Sequence, residues 1–564
     1  MATAAFLGVA LLALVAPFEM TQPLLRLPSQ SISNLEAAVL CAFALWGGAI
    51  VWSRSWPLWR TPLTAPWLAW LGALVIASAV APAFRTNAVH MTGRLSAAFG
   101  IYLLTVSGVT TRARLRLALA LMVAAGVGVS VLAILEYAQV RPVLNGLKVF
   151  RPGVTVVGSQ LRAGGSLQYP TIASMYLEIV FAFGVGLLLT AMDDARRRLA
   201  AVWFVALLAI AQAITLTFTR AGVISIGAVL LLAGIVRLRR RGPDAGVTLV
   251  AALSVLIALM VGASRSAESM WLRFTSEGQE SWYRARVEAP PELTFASGAT
   301  SFVPIRITNT GRLPWDSQGD PPFLLSYHWL QAEGDRFVAF DGARTPFAAP
   351  VDPGAAADMR AEVRAPRQPG RYRLEWDVVV EHRLWFSTEP GAPRMMSRVT
   401  VAGAPVDLPV HTTPPPRPTV RPGRLELWAA ALRMIGAHPL LGVGPDNFRL
   451  SYGDYAGLTG ADPRTHSNDM YLEVLTGGGL VAGATFAWLL WRASGCLLAG
   501  VRRAAESQGA LAVGIAAAGL AIGLHAVVDS FLSFGPTYVL FALTLGCAVA
   551  CARGLETHAD AHRV

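Results

Sequence analysis

The sequence predicts a polytopic α-helical membrane protein of about twelve transmembrane helices, interrupted by one β-sandwich. Three observations carry this. Hydrophobic residues make up 54% of the 564 and charged ones only 15%, where a soluble chain carries about 25% charged residues. Apolar runs reach the ~20 residues that cross a bilayer many times over. Between 282 and 401 the pattern switches to short alternating segments with turn punctuation.

The apolar runs centre near residues 10, 44, 73, 98, 126, 181, 208, 229, 255, 482, 518 and 543. The first, Ala2 to Phe18, lacks a basic leader and reads as a retained helix rather than a signal peptide. Arginines cluster in alternate connections: Arg54 and Arg60, Arg112 to Arg116, Arg196 to Arg198, Arg237 to Arg241, and Arg492 to Arg503. That spacing follows the positive-inside rule and puts both termini in the cytoplasm. The net charge of +12 therefore reports topology, and a nucleic-acid partner is not expected. The outward connections are 138–170, the Thr219-Arg220 turn, 266–468, and the Asp529–Pro536 turn. Cys41, Cys496, Cys547 and Cys551 lie in or beside apolar runs and suggest neither a disulfide framework nor zinc.

The organisation reads as nine helices in 1–265, a connector at 266–281, a β-sandwich at 282–405 and a Pro-rich linker at 406–423. A helix and loop follow at 424–469, then three helices at 470–564. In the sandwich, Leu374, Trp376 and Val378 alternate with Arg373, Glu375 and Asp377, the period of a half-buried strand. Asn309-Thr310-Gly311, Asp352-Pro353-Gly354 and Gln368-Pro369-Gly370 mark turns. The pattern NTG-x3-W, SYHW and PG-x-Y-x-L-x-W-D resembles immunoglobulin-like modules found beside bacterial glycan-handling domains, which implies a docking or structural role.

The residues able to do chemistry all fall on the outward side. Arg162 lies in LRAGGSLQYP, Arg220 interrupts TFTRAG between two apolar runs, Arg424 opens the helix at 424, and His466 precedes the tenth run. Arginine forks match phosphate oxygens at any relevant pH, and a neutral imidazole can take a proton from a hydroxyl. Nucleotide sugars are cytoplasmic, so an activated glycan on this side would arrive on a polyprenyl diphosphate. Asp446 and Asn447 read as a turn and cap with a possible supporting role, His438-Pro439 as helix termination, and Gly477 to Gly479 as a close helix-packing site. No HExxH or CxxC pattern occurs, and the adjacent pair Asp193-Asp194 stands beside three arginines on the opposite side. A metal-independent reaction is expected.

HPLLGVGPDNF followed by HSNDMYLE and GGLVAG resembles the O-antigen ligase and polymerase superfamily, as do TFTRAG and RAGGSLQYPTIASMYL. The resemblance implies a GT-C-like, multi-pass enzyme of the bacterial inner membrane with its active site facing the periplasm. It implies an undecaprenyl-diphosphate-linked glycan donor, membrane lipids around it, no cofactor, and a glycan, lipid A core or protein as acceptor. It assigns the general base to His466 and diphosphate binding to Arg220 and Arg424, with Arg162 assisting. The family histidine is followed directly by Asn, about eleven residues before Gly-x-x-Gly; counting back from Gly479 reaches Asn468, two positions after His466. Ligase, repeat-unit polymerase and protein glycosyltransferase stay open at this point. A lipid-linked glycan transporter is the rival from another class, although transport sites lie near the bilayer midplane.

Overall fold

The computed structural model describes residues 1–26, 31–151, 155–157, 160–263, 282–319, 322–381, 384–389, 392–404, 422–458, 462–503 and 509–554. The whole connector at 266–281 and residues 406–421 of the Pro-rich linker lie outside the described residues. The chain divides into two units, one of Met1–Trp271, Leu427–Tyr455 and Arg464–Val564, the other of Leu272–Glu426 and Ala456–Pro463.

Every expected apolar run lies on a helix. In chain order the helices are α1 (Ala2–Val15), α2 (Asn34–Ser53), α3 (Thr64–Val80), α4 (Arg85–Gly108), α5 (Arg112–Tyr137), α6 (Arg141–Leu147), α7 (Pro170–Asp193) and α8 (Arg197–Leu216). They continue as α9 (Arg220–Arg241), α10 (Ala245–Ala263), α11 (Arg424–Ala437), α12 (Phe448–Ala456), α13 (Met470–Arg503), α14 (Gly509–His525) and α15 (Gly535–Arg553). Among the described residues, eight helices are long and apolar enough to cross a membrane, and three more are shorter apolar helices. The protein is a multi-pass helical membrane protein with an inserted β domain. The helix α4 is not among those eleven and carries Arg85, His90 and Arg94 in its first three turns.

The centre of the helical unit is α7, whose apolar window is wholly buried, as a helix hydrophobic all round requires. Gly186 lets α14 approach so closely that a Cβ there would sit 3.0 Å from the Ala510 carbonyl. The aspartate pair at the far end of α7 is ion-paired. Asp193 meets Arg237 and Arg241 at 2.8 Å each, and Asp194 meets Arg116 at 2.8 Å.

In the second unit, strands β7 (Thr300–Asn309) and β11 (Ala356–Arg364) pair with β5 (Ala285–Glu288) in a three-stranded sheet. A larger sheet carries β8 (Phe323–Gln331), β12 (Gly370–Val380), β14 (Met395–Ala402) and β6 (Glu292–Ala296). The sheets meet where the Trp329 indole donates to the Arg364 carbonyl at 3.0 Å and the Tyr327 hydroxyl accepts from the Arg364 N–H at 2.8 Å. The half-buried expectation for β12 is corrected here. Both faces are covered from Leu374 onward, because β12 lies between β8 and β14 with 384–389 and 392–394 close by. The carboxylates on its other face are satisfied: Glu375 by the Arg394 fork at 2.9 and 3.1 Å, Asp377 by His328 Nε2 at 3.1 Å.

Candidate functional site

The segment after α11 is built around a broken helix. Within α13, Gly479 takes φ 63° and ψ −164°, a region that excludes side-chain-bearing residues. The break frees backbone groups of α13, which the turn segment 439–444 takes up. Val443 and Gly444 donate to the carbonyls of Thr476 and Gly477 at 2.9 Å each, while Leu480 and Val481 donate to those of Pro439 and Leu440 at 2.8 and 3.2 Å. A Cβ on Gly442 would overlap Thr476 O, and one on Gly479 would overlap the Leu440 carbonyl. The glycines thus admit a close backbone approach, but to a turn segment rather than to another helix as expected.

This docking fixes Asp446 and Asn447 beside the N-terminus of α13. Asp446 adopts φ 64°. Its carboxylate accepts from Arg449 Nε at 2.8 Å and from Asn87 at 3.2 Å. Asn447 is fully buried, donates to the Ala83 and Val443 carbonyls, and accepts from Asn87 at 3.0 Å. Arg449 also donates to Asn87 Oδ1 at 2.7 Å. One asparagine of α4 thereby holds the whole turn.

His466 enters this cluster from the other side. Its Nδ1 lies 3.4 Å from Glu473 Oε1 and 3.9 Å from Asp446 Oδ1, and its ring meets Phe534 edge-on with centroids 5.5 Å apart. Glu473, in the first turn of α13, also accepts from the Ser467 N–H at 2.7 Å, and Asp469 caps the helix at the Leu472 N–H. The loop is therefore pinned at both ends. Burial disfavours the charged imidazole, but the Glu473 contact and the charges of Glu473 and Asp446 outweigh it, so His466 titrates above its ordinary range. With Nδ1 facing carboxylates, Nε2 is the nitrogen left to accept a proton. Asn468 follows at φ 55°.

The arginines are distributed differently. Arg162 is buried, not at a lipid surface; its Nε donates to the Thr217 carbonyl at 2.8 Å and its Nη2 to Thr219 Oγ1 at 3.3 Å. It braces the turn from which α9 starts at Arg220, which is half-buried. Its loop is held further on by the buried Glu136 carboxylate, which accepts from Gly164 and Gly165 at 3.0 and 2.9 Å and pairs with Arg151. Arg424 is the exposed first residue of α11 and falls in the second unit.

Glu473, Arg449 and Asn87 were not singled out in the sequence. Nor was the buried pair of His525 and Glu178, 2.9 Å apart between α14 and α7. A carboxylate inside the apolar run 170–193 was the available signal for the last. Glu473 was visible only as an acid in the first turn of the apolar run that follows His466.

Residues 417–487, which contain Arg424, the docked turn, His466 and the broken helix, match the family model described as O-antigen ligase. No curated protein matches the chain. The match gives the protein an O-antigen ligase or polymerase-like function in general, a glycosyltransferase type that works with a lipid-linked glycan donor and a glycan acceptor. Over residues 417–487 the chain is thus similar to the O-antigen ligase family.

Proposed function

We propose that this protein transfers a glycan from undecaprenyl diphosphate to an acceptor hydroxyl at the periplasmic face of the bacterial inner membrane. The observation that supports it best is His466, held by Glu473 and Asp446 within the family-matched segment. In this reading Nε2 takes the proton of the acceptor hydroxyl as its oxygen attacks the anomeric carbon. The bond from that carbon to the diphosphate oxygen breaks, and its electron pair leaves with the polyprenyl diphosphate. A single displacement of this kind inverts the anomeric centre. Glu473 and Asp446 stabilise the imidazolium that forms, as the acid partner does in a Ser-His-Asp triad. Arg220 receives the diphosphate and stabilises the charge developing on it; Arg162 assists by setting the turn that presents Arg220. No metal is required.

The base must be neutral to act, so transfer rises with pH through the His466 pKa, which lies above the ordinary 6.5. Glu473→Gln keeps the acceptor for the Ser467 N–H but removes the charge that holds this pKa up. The acid limb of the pH–rate profile is expected to move to lower pH, with a plateau rate about tenfold lower. An unmoved limb would contradict the base assignment. Arg220→Gln is expected to raise the KM for the lipid-linked donor by about tenfold or more, the worth of one charge-assisted hydrogen bond. It should leave the acceptor KM unchanged in the same assay.

A further inference from the structure

A separate pocket opens beside the His466 wall. It has a volume of ≈ 120 Å³ and is lined by Glu19, Glu36, Arg94, Gln168, Phe534 and Tyr538 among others. Phe534 is shared: its ring is the one His466 packs against. Ser533 lines both this pocket and a smaller one, ≈ 30 Å³, that reaches Asp446 and Glu473.

The pocket is rigidly built. Glu19 accepts from Ser33 Oγ at 3.1 Å, and Asn34 clamps the chain on both sides of it through Phe18 O and Met20 N. Gly535 leaves room for the Glu19 carboxylate, since a Cβ there would overlap Oε2. Glu36 completes a capping box with Ser33 and lies 3.6 Å from Arg94. Two acids against one arginine give the lining no net positive charge. A diphosphate therefore gains no net attraction here, while a neutral polyol finds carboxylate acceptors, guanidinium and amide donors and an aromatic face. Burial pushes the Glu19 carboxyl up, adding an O–H donor as it protonates.

Resting on the transfer reaction proposed above, we infer that this pocket binds a neutral sugar residue of the acceptor, next to the hydroxyl that His466 deprotonates. The loop that braces the Arg220 turn through Arg162 supplies Gln168 to the pocket, and Arg162 and Ser166 are within about 14 Å along the chain. Acceptor and leaving group would then be held by one loop.

The test is saturation-transfer NMR on the full-length protein in nanodiscs, with a panel of methyl hexosides, methyl 6-deoxyhexosides and methyl heptosides as probes. At least one glycoside is expected to receive saturation, and added pyrophosphate should not displace it. The double variant Glu19→Gln, Glu36→Gln should lower the signal at least fivefold. Gln168→Trp, a change at an exposed position at the pocket mouth, should abolish it and serves if the double variant does not fold. His466→Ala should leave it intact, so binding and transfer fail separately. No transfer to any glycoside, equal signals in the variants, or displacement by pyrophosphate would overturn the assignment.

Discussion

Replacing His466 with alanine is expected to lower glycan transfer by about 10²–10⁴-fold, the usual contribution of a positioned general base. The imidazole is the one group in its cluster able to accept a proton near neutrality, and its Nδ1 faces Glu473 and Asp446 at 3.4 and 3.9 Å. Neither carboxylate substitutes for it, since Glu473 is held by the Ser467 N–H and Asp446 by Arg449. The protein should still fold, because the turn is secured by Asn87, Asn447 and the Gly479 break rather than by the imidazole. His466→Gln, which keeps a polar group against the carboxylates, should show the same loss. Donor binding should be unchanged in both. Equal thermal melting and equal donor affinity beside lost transfer is the expected pattern.

The second large effect is structural. Gly479→Ala places a Cβ onto the Leu440 carbonyl and forces an L-residue to φ 63°. Backbone strain of about 1–3 kcal/mol adds to overpacking of about 1–3 kcal/mol, and the site cannot relax without losing the four backbone hydrogen bonds between 439–444 and α13. Thermal unfolding in detergent should show a loss of about 3 kcal/mol or more, and transfer should fall with it because Asp446 and Glu473 lose their common frame. Gly436→Ala in the same region is the control. It meets nothing within 4 Å and should leave both readouts unchanged.

How much of this was legible in the sequence depends on the distance over which the signal acts. The helices were legible because span length and arginine spacing are local properties. Period-two alternation announced the β domain, yet it misjudged β12, where the outward acids Glu375 and Asp377 are buried against Arg394 and His328. Alternation describes a strand's chemistry and is silent about what covers its second face. His466 stood out as an imidazole beside an apolar run, and Asp446 and Asn447 as a turn. That these meet, and that Asn87 ties them together across some 360 residues, is a tertiary fact without local trace. The glycine triplet in α13 was read as a packing surface, since small residues serve helix contacts and helix breaks equally well. Arg162 was given an assisting part in diphosphate binding from an outward loop; that it also holds the Thr217–Thr219 turn leaves no local mark in the sequence.

The measurement that tests the central claim most directly is complementation of a deletion strain with wild-type and His466→Ala alleles at equal membrane levels, read as a gel profile of surface glycans. The account predicts that the wild-type allele restores glycan on its acceptor while His466→Ala does not, with carrier-linked glycan accumulating. Long accumulated chains would assign a ligase, and acceptors bearing a single repeat a polymerase. Full restoration by His466→Ala would contradict the account.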